Sequence, residues 1–203
     1  MPVVREISPC EAAIHHIVMN LRDCDRAEIM ALRWDDDLEG LSAEVAGFAG
    51  PMWRIWTVDD EPASIMGITP IRPGVVMGGA FGTPLWRFTA PRMLRWGWRW
   101  AIPRLRAAGV HRGESYALAC NTENRAFIEA AGGEVEALLE GYGRNGEDFL
   151  LYRWRFQDVS QCSSTTGPRA TGLLQDGNDP GRRTDGGVGR RDLRRSRSPA
   201  KCH

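Results

Sequence analysis

Lysine is all but missing from this chain: Lys201 stands alone against 25 arginines, a bias that reflects a GC-rich coding sequence more than protein chemistry. No stretch approaches the roughly 18 apolar residues of a membrane span. The opening MPVVREISPCEAA lacks the basic region, apolar run and cleavage site of a secretory signal. No CxxC pair exists. Cys10, Cys24, Cys120, Cys162 and Cys202 are odd in number and widely spaced, which fits free thiols in a reducing, cytoplasmic compartment better than a disulfide framework. The four histidines are scattered and His15-His16 diverge on a helix, so no metal site is expected.

Aromatic residues are absent from residues 157–203, while all eight tryptophans and all three tyrosines lie before Phe156. The first 156 residues hold 17 basic and 21 acidic residues, a formal −4; the remainder hold 9 and 5, a formal +4. The formal charge of zero therefore covers an acidic domain, 1–156, and a basic tail, 157–203. The tail, rich in Gly, Ser and Arg, cannot bury enough apolar surface to offset the entropy of ordering it and is expected to be disordered. Its cluster from Arg190 to Arg197 suits phosphate backbones or an acidic protein surface, although a solubilising terminus is the plainer account.

Within the domain, Val3 to Ile7 alternate as a strand. Helical stretches follow from about Cys10 to Met19, with Ser8 as cap, from Asp23 to Arg33, and from Ser42 to Phe48. In the second, Ala27, Met30, Ala31 and Trp34 have the spacing of a buried face. Period two takes over in 52–58 and 63–71 around the turn Asp59–Pro62, and again in Val75 to Phe81, where Gly78-Gly79 imply a close neighbour. Thr89 to Ala108 reads as the main helix, capped by Thr89 and bent by Pro103. Trp96 and Trp100 share one side of it, and an uncovered aromatic side would mark a protein interface. Trp53 and Trp56 should face opposite sides of their strand.

The most informative stretch is GESYALACNTENRAFIEAAGG, residues 113–133. An alternating strand, Glu114 to Cys120, runs straight into a helix opened by Asn121, Thr122, Glu123 and Asn124 and stopped at Gly132-Gly133. Such a junction puts polar groups and free N–H groups at a sheet edge, where a ligand can be held. It also suits a simple helix cap. Glu134 to Glu140 is short and reads as a strand or a helical turn, and Asp148 to Phe156 is a strong final strand. A mixed α/β sheet with helices on both faces is the natural packing.

That order resembles the Gcn5-related N-acetyltransferases, the GNAT superfamily, over about residues 3–156. Asn121 stands where members carry the Asn that ends the fifth strand, Asn124 at a usual Ala, Phe127 at the first of an aromatic pair, Glu129 at a Glu and Gly132 at a Gly. Ile128 replaces the tyrosine that often protonates the departing thiolate, and Gly133 replaces a bulky aromatic. The family's glycine-bearing pyrophosphate loop is replaced by GTPLWRFTAPRM. The resemblance implies a GNAT-like acyl-CoA N-acyltransferase fold of six or seven mostly antiparallel strands. The chain also resembles the GNAT-like internal virion protein A family of short-tailed bacteriophages, through Phe81-Gly82-Thr83 and a Trp-rich main helix. That likeness implies a phage origin and a structural role in the virion core through protein partners.

Two functions follow. One is transfer of an acetyl group from acetyl-CoA to a small or protein amine; the other is a non-catalytic platform. In the first, the backbone of Val76 to Phe81, including Met77, Gly79 and Phe81, pairs with the cofactor's pantetheine arm. Phe88 to Arg92, including Thr89, receive the pyrophosphate with charge from Arg87 or Arg92. Asn121, Asn124 and Phe127 line the cofactor site through the resemblance, and Asn121 both donates and accepts. Base candidates are Glu61, Asp60 and Glu114; Tyr116 and Cys120 are the candidates for returning a proton.

Overall fold

The computed structural model describes residues 2–156. The tail, its arginine cluster, Cys162 and Cys202 lie outside the described residues. A sheet of seven strands runs in the order β1-β2-β3-β4-β5-β7-β6. The strands are β1 (Val4–Ile7), β2 (Trp53–Val58), β3 (Glu61–Arg72), β4 (Val75–Gly82), β5 (Arg112–Leu118), β6 (Glu134–Leu139) and β7 (Phe149–Arg155). All neighbours pair antiparallel except β4 and β5, which run parallel. A parallel neighbour needs a crossover connection, and the main helix between β4 and β5 supplies it. The ambiguous 134–140 segment is a strand, because its register against β7 places Leu139 opposite Phe149.

Alternation along the strands makes two cores. On one face α1 (Glu11–Met19) and α3 (Leu38–Phe48) pack Ile14, Ile17, Val18 and Val45 onto Ile55 and Ile65. On the other, α4 (Trp86–Trp96) packs Trp86, Met93 and Trp96 with Trp56 and with Phe127 of α6 (Thr122–Ala130). Trp53 and Trp56 do face opposite ways: Trp53 joins the first core, and its ring lies so close over Gly67 that a Cβ there would collide with it.

Several boundaries and faces differ from the sequence reading. α1 begins at Glu11 with Cys10 as its N-cap. α3 begins at Leu38, four residues early, because Asp37 accepts the Gly40 N–H and caps it. α4 begins at Trp86, so Thr89 is inside the helix, fully buried, donating to the Trp86 carbonyl and accepting from Ser64 at 2.8 Å. The main helix is also divided. Pro103 has no N–H to offer, and the chain inserts a π-helical turn, Gly97–Ala101, before α5 (Ile102–Ala107), with the Ile102 N–H reaching back to Gly97. The inserted residue rotates the faces. Trp96 is buried against Trp56, Trp100 stacks on Trp96 at 5.1 Å, and Trp98 is half-exposed instead. The Trp96/Trp100 side is thus covered from within, with Arg54 and Arg104 over Trp100.

Candidate functional site

β4 and β5 pair only through Val75–Arg112, Val76–Gly113 and Met77–Glu114, and then part. Among the described residues, the resulting wedge leaves unpaired strand edges in the middle of the sheet. The Thr83 N–H donates to Ala63, so ladder alternation points the backbone groups of Gly78, Ala80 and Gly82 towards β5. Those of Met77, Gly79 and Phe81 are spent on β3. On the opposite edge the Ala119 N–H donates to Asp148, which leaves Tyr116 and Leu118 facing β4.

The open end of the wedge is closed by α2 (Asp23–Ala31) and its cap, Arg22. The Arg22 N–H donates to the Gly82 carbonyl at 2.9 Å, and Asp25 Oδ2 accepts the Gly82 N–H at 2.8 Å. Asp25, 2% exposed, is held bidentately by Arg22 Nε and Nη2 at 2.9 and 2.7 Å. Arg22 Nη1 reaches Glu123 of α6 at 2.9 Å, and its guanidinium lies 4.2 Å from the Trp86 ring centre. One turn further along α2, Glu28 Oε2 accepts the Leu118 N–H at 2.9 Å and Asn121 Nδ2 at 3.0 Å, while Oε1 accepts Asn124 Nδ2 at 2.5 Å. Arg22, Asp25 and Glu28, three residues apart on one helix face, thus stitch both parted strands together.

Burial sets the acidities here. It pushes Glu28 up to about 7, against the hydrogen bonds from Leu118, Asn121 and Asn124 and with the help of the Asp25 charge. Burial also raises Asp25, with the Arg22 pair opposing. Neither acid was singled out in the sequence. The 22/25/28 spacing was the available signal, but charges at that spacing look like a solvated face. The expected apolar face of α2 is corrected accordingly: Met30 and Ala31 are buried, whereas Ala27 is exposed and Trp34 is fully exposed.

The candidates read from sequence are distributed unevenly around this wedge. Asn121 and Asn124 belong to it, and Asn121 Oδ1 also caps α6 by accepting the Asn124 N–H. Phe127 packs 4.9 Å from Trp86, bridging α4 and α6 beneath Arg22. Arg87 is exposed at the first turn of α4, beside an open depression of about 500 Å3 lined by Pro84, Trp86, Glu123 and the α1–α2 turn. Arg92 is exposed a turn later. Glu114 is buried but engaged by Arg112 at 2.6 Å and Arg72 at 2.9 Å; burial pushes its carboxyl up, and the two guanidinium groups outweigh this and hold it below the ordinary range. Glu61 is exposed at the start of β3, 3.4 Å from His16, and Asp60 lies beside Arg5 in the adjoining turn. Tyr116 stacks on Tyr142 at 5.6 Å, and burial followed by that neighbour raises its pKa. Cys10 and Cys24 are free thiols, and Cys120 lies in the turn between β5 and α6.

At the apex of the wedge the picture reverses. A Cβ built on Gly78 would meet only the Glu114 carbonyl, at 3.9 Å, and one on Gly79 would meet nothing within 4 Å. The close neighbour expected at this pair is therefore absent among the described residues. Gly78 instead borders an apolar cavity of about 70 Å3 between the sheet and the π-helical turn. No group of three or more potential ligands for a metal occurs among the described residues, nor is any described helix long and apolar enough to cross a membrane.

No protein-family model and no curated protein sequence matches the chain. Solved structures do. The ribosomal-protein-S18-alanine N-acetyltransferase of Escherichia coli superposes with a TM-score of 0.54 at 16% identity, over 80% of this chain and 98% of that one. A structure of yncA from Salmonella typhimurium with its cofactor acetyl-CoA gives 0.56 at 11% identity, over 79% and 98%. RimL, the ribosomal L7/L12 alpha-N-protein acetyltransferase, in complex with coenzyme A, gives 0.52 at 12% identity, over 75% and 93%. At these identities the likeness is one of architecture, and it extends to nearly the whole of each of those chains. The seven-stranded mixed sheet with a parallel, parting β4–β5 pair is the GNAT acyltransferase fold.

Proposed function

We propose that the protein is a GNAT-type N-acetyltransferase that moves an acetyl group from acetyl-CoA to an amine. The observation that carries this reading is the apex of the wedge. Gly78 and Ala80 direct backbone groups into the gap, and Gly78-Gly79 keep their surface bare on both faces of the sheet. Glycine in a strand costs about 0.5–1 kcal/mol relative to alanine, and no packing within the described residues uses that space; a closely approaching ligand does.

The cofactor supplies an activated acyl thioester. The backbone of Gly78 and Ala80 suits its amide-bearing arm, as an added strand would be held. Arg87 and the first turn of α4 suit its phosphates. Glu28, near neutral in acidity at the wedge, takes the proton released by the amine nitrogen, with Asn121 and Asn124 holding its carboxyl in place. Tyr116, still a phenol at neutral pH, supplies a proton for the leaving sulfur. Calorimetry of acetyl-CoA against the full chain tests the reading. Binding with a dissociation constant between about 1 µM and 1 mM is expected, and no heat at millimolar cofactor overturns it.

A second reading rests on the other end of the wedge. Trp86 on Phe127 and the Arg22–Asp25–Gly82 stitch fill the space where a cofactor would enter. This favours a non-catalytic platform, whose form in a phage particle would be virion-core assembly through protein contacts. Absence of coenzyme A binding together with an intact fold is its expected result.

A further inference from the structure

We propose that the cavity under the π-helical turn is an acyl-chain pocket, which extends the acyl group the site takes from acetyl to a short straight chain of about four carbons. This rests on the acyltransferase reading above. The cavity starts where the wedge starts: Gly78 on β4 and Gly113 on β5 form its floor, one residue from the last β4–β5 pair. Its walls are Met66 and Ile68 of β3, Leu94, Leu105 and Trp154, with no polar side chain other than Glu114 at the rim. Glu114 is already engaged by two arginines. A thioester carbonyl placed over Gly78 therefore has only one direction in which its chain finds an apolar lining.

The space exists for a local reason. The π-helical turn forced by Pro103 puts Gly97 over Met66, where a Cβ would sit 3.8 Å from the Met66 methyl, and Gly78 contributes no side chain from below. Trp98, half-exposed, leans over Gly132 at the end of α6 and forms the outer rim. A cavity of about 150 Å3 lined by apolar side chains takes a benzene ring, so about 70 Å3 has room for roughly three carbons beyond the carbonyl. Water is a poor occupant of a space with so few polar partners.

The test is calorimetry on the full chain with coenzyme A and its acetyl, propionyl, butyryl and octanoyl thioesters. Affinity should rise about fourfold per methylene group from acetyl to butyryl, roughly fifteenfold over the two, and stop rising by octanoyl. Gly97→Leu, which fills the cavity from the helix side, should bind all the thioesters with the affinity of acetyl-CoA, with its circular dichroism unchanged. Equal or falling affinity along the series in the wild-type chain, with coenzyme A itself bound, overturns the pocket and leaves the transferase reading standing. No binding of any thioester overturns both. Because the wild-type series is decisive alone, a Gly97→Leu chain that fails to fold does not rescue the proposal.

Discussion

The two ends of the β4–β5 wedge are built on opposite principles. At the open end the side chains of Asp25 and Glu28 and the backbone N–H of Arg22 take up backbone groups that the parted strands leave free. At the apex, four residues back along β4 at Gly78, side chains are missing and backbone is bare. A wedge that served only as architecture would be filled throughout. One that served only as a channel would be open throughout. The contrast shows which part of the opening the fold needs to close for its own stability and which part it leaves available.

The largest effect should come from breaking the closed end. Arg22→Ala leaves the buried Asp25 carboxylate without its guanidinium, and such losses cost about 3–5 kcal/mol. The urea midpoint should fall accordingly. A loss below about 1 kcal/mol would mean that the Arg22–Asp25 pair contributes little to holding the closed end.

A smaller effect concerns Glu28, whose folded value of about 7 lies above its ordinary 4.5. Between those values the folded state binds a proton that the unfolded chain has released, so stability decreases as pH rises from about 4.5 to 7 and is level above that. The whole shift corresponds to about 3 kcal/mol at most, and less where water reaches the carboxyl. Denaturation at pH 5 and pH 8 should show this difference in the wild type and lose it in Glu28→Gln. A Glu28→Gln chain with the wild-type slope would assign the pH dependence to another group.

Least of all should be felt at the apex. Gly78→Ala meets only an ordinary contact and restricts the unfolded chain, so it should stabilise by up to about 1 kcal/mol while weakening coenzyme A binding severalfold. Destabilisation of more than 1 kcal/mol would show that the space over Gly78 is not free, and the contrast between the two ends would fall.

How far this was legible in the sequence depended on range. Periodicity located the strands other than β6, because it is a signal carried within a strand's own few residues; 134–140 was too short to tell from a helical turn. The Asn121 junction was visible too, since cap and helix are contiguous. Faces of helices were harder. Trp96 turns inward and Trp98 outward because one inserted residue before Pro103 rotates everything upstream relative to α5. The stitch was invisible for a different reason: Glu28 is defined by partners 90 and more residues away, and nothing local distinguishes a charge that will be buried by such partners from one left in water. Asn121 was read as a ligand contact, but its amide in this structure is given to Glu28.

That range has a consequence for the order of events on the ribosome. Arg22 finds Glu123 across 101 residues, and Glu28 finds Leu118 across 90. Translation proceeds at roughly 5–20 residues per second, so the nascent α2 emerges about 5–20 seconds before the strand and helix that complete it. Through that interval Ala31 has neither Leu118 of β5 nor Phe149 of β7 to cover it. Any factor that shelters the emerging chain would be expected to act on this helix, and synonymous codons that speed residues 32–118 would shorten its exposure.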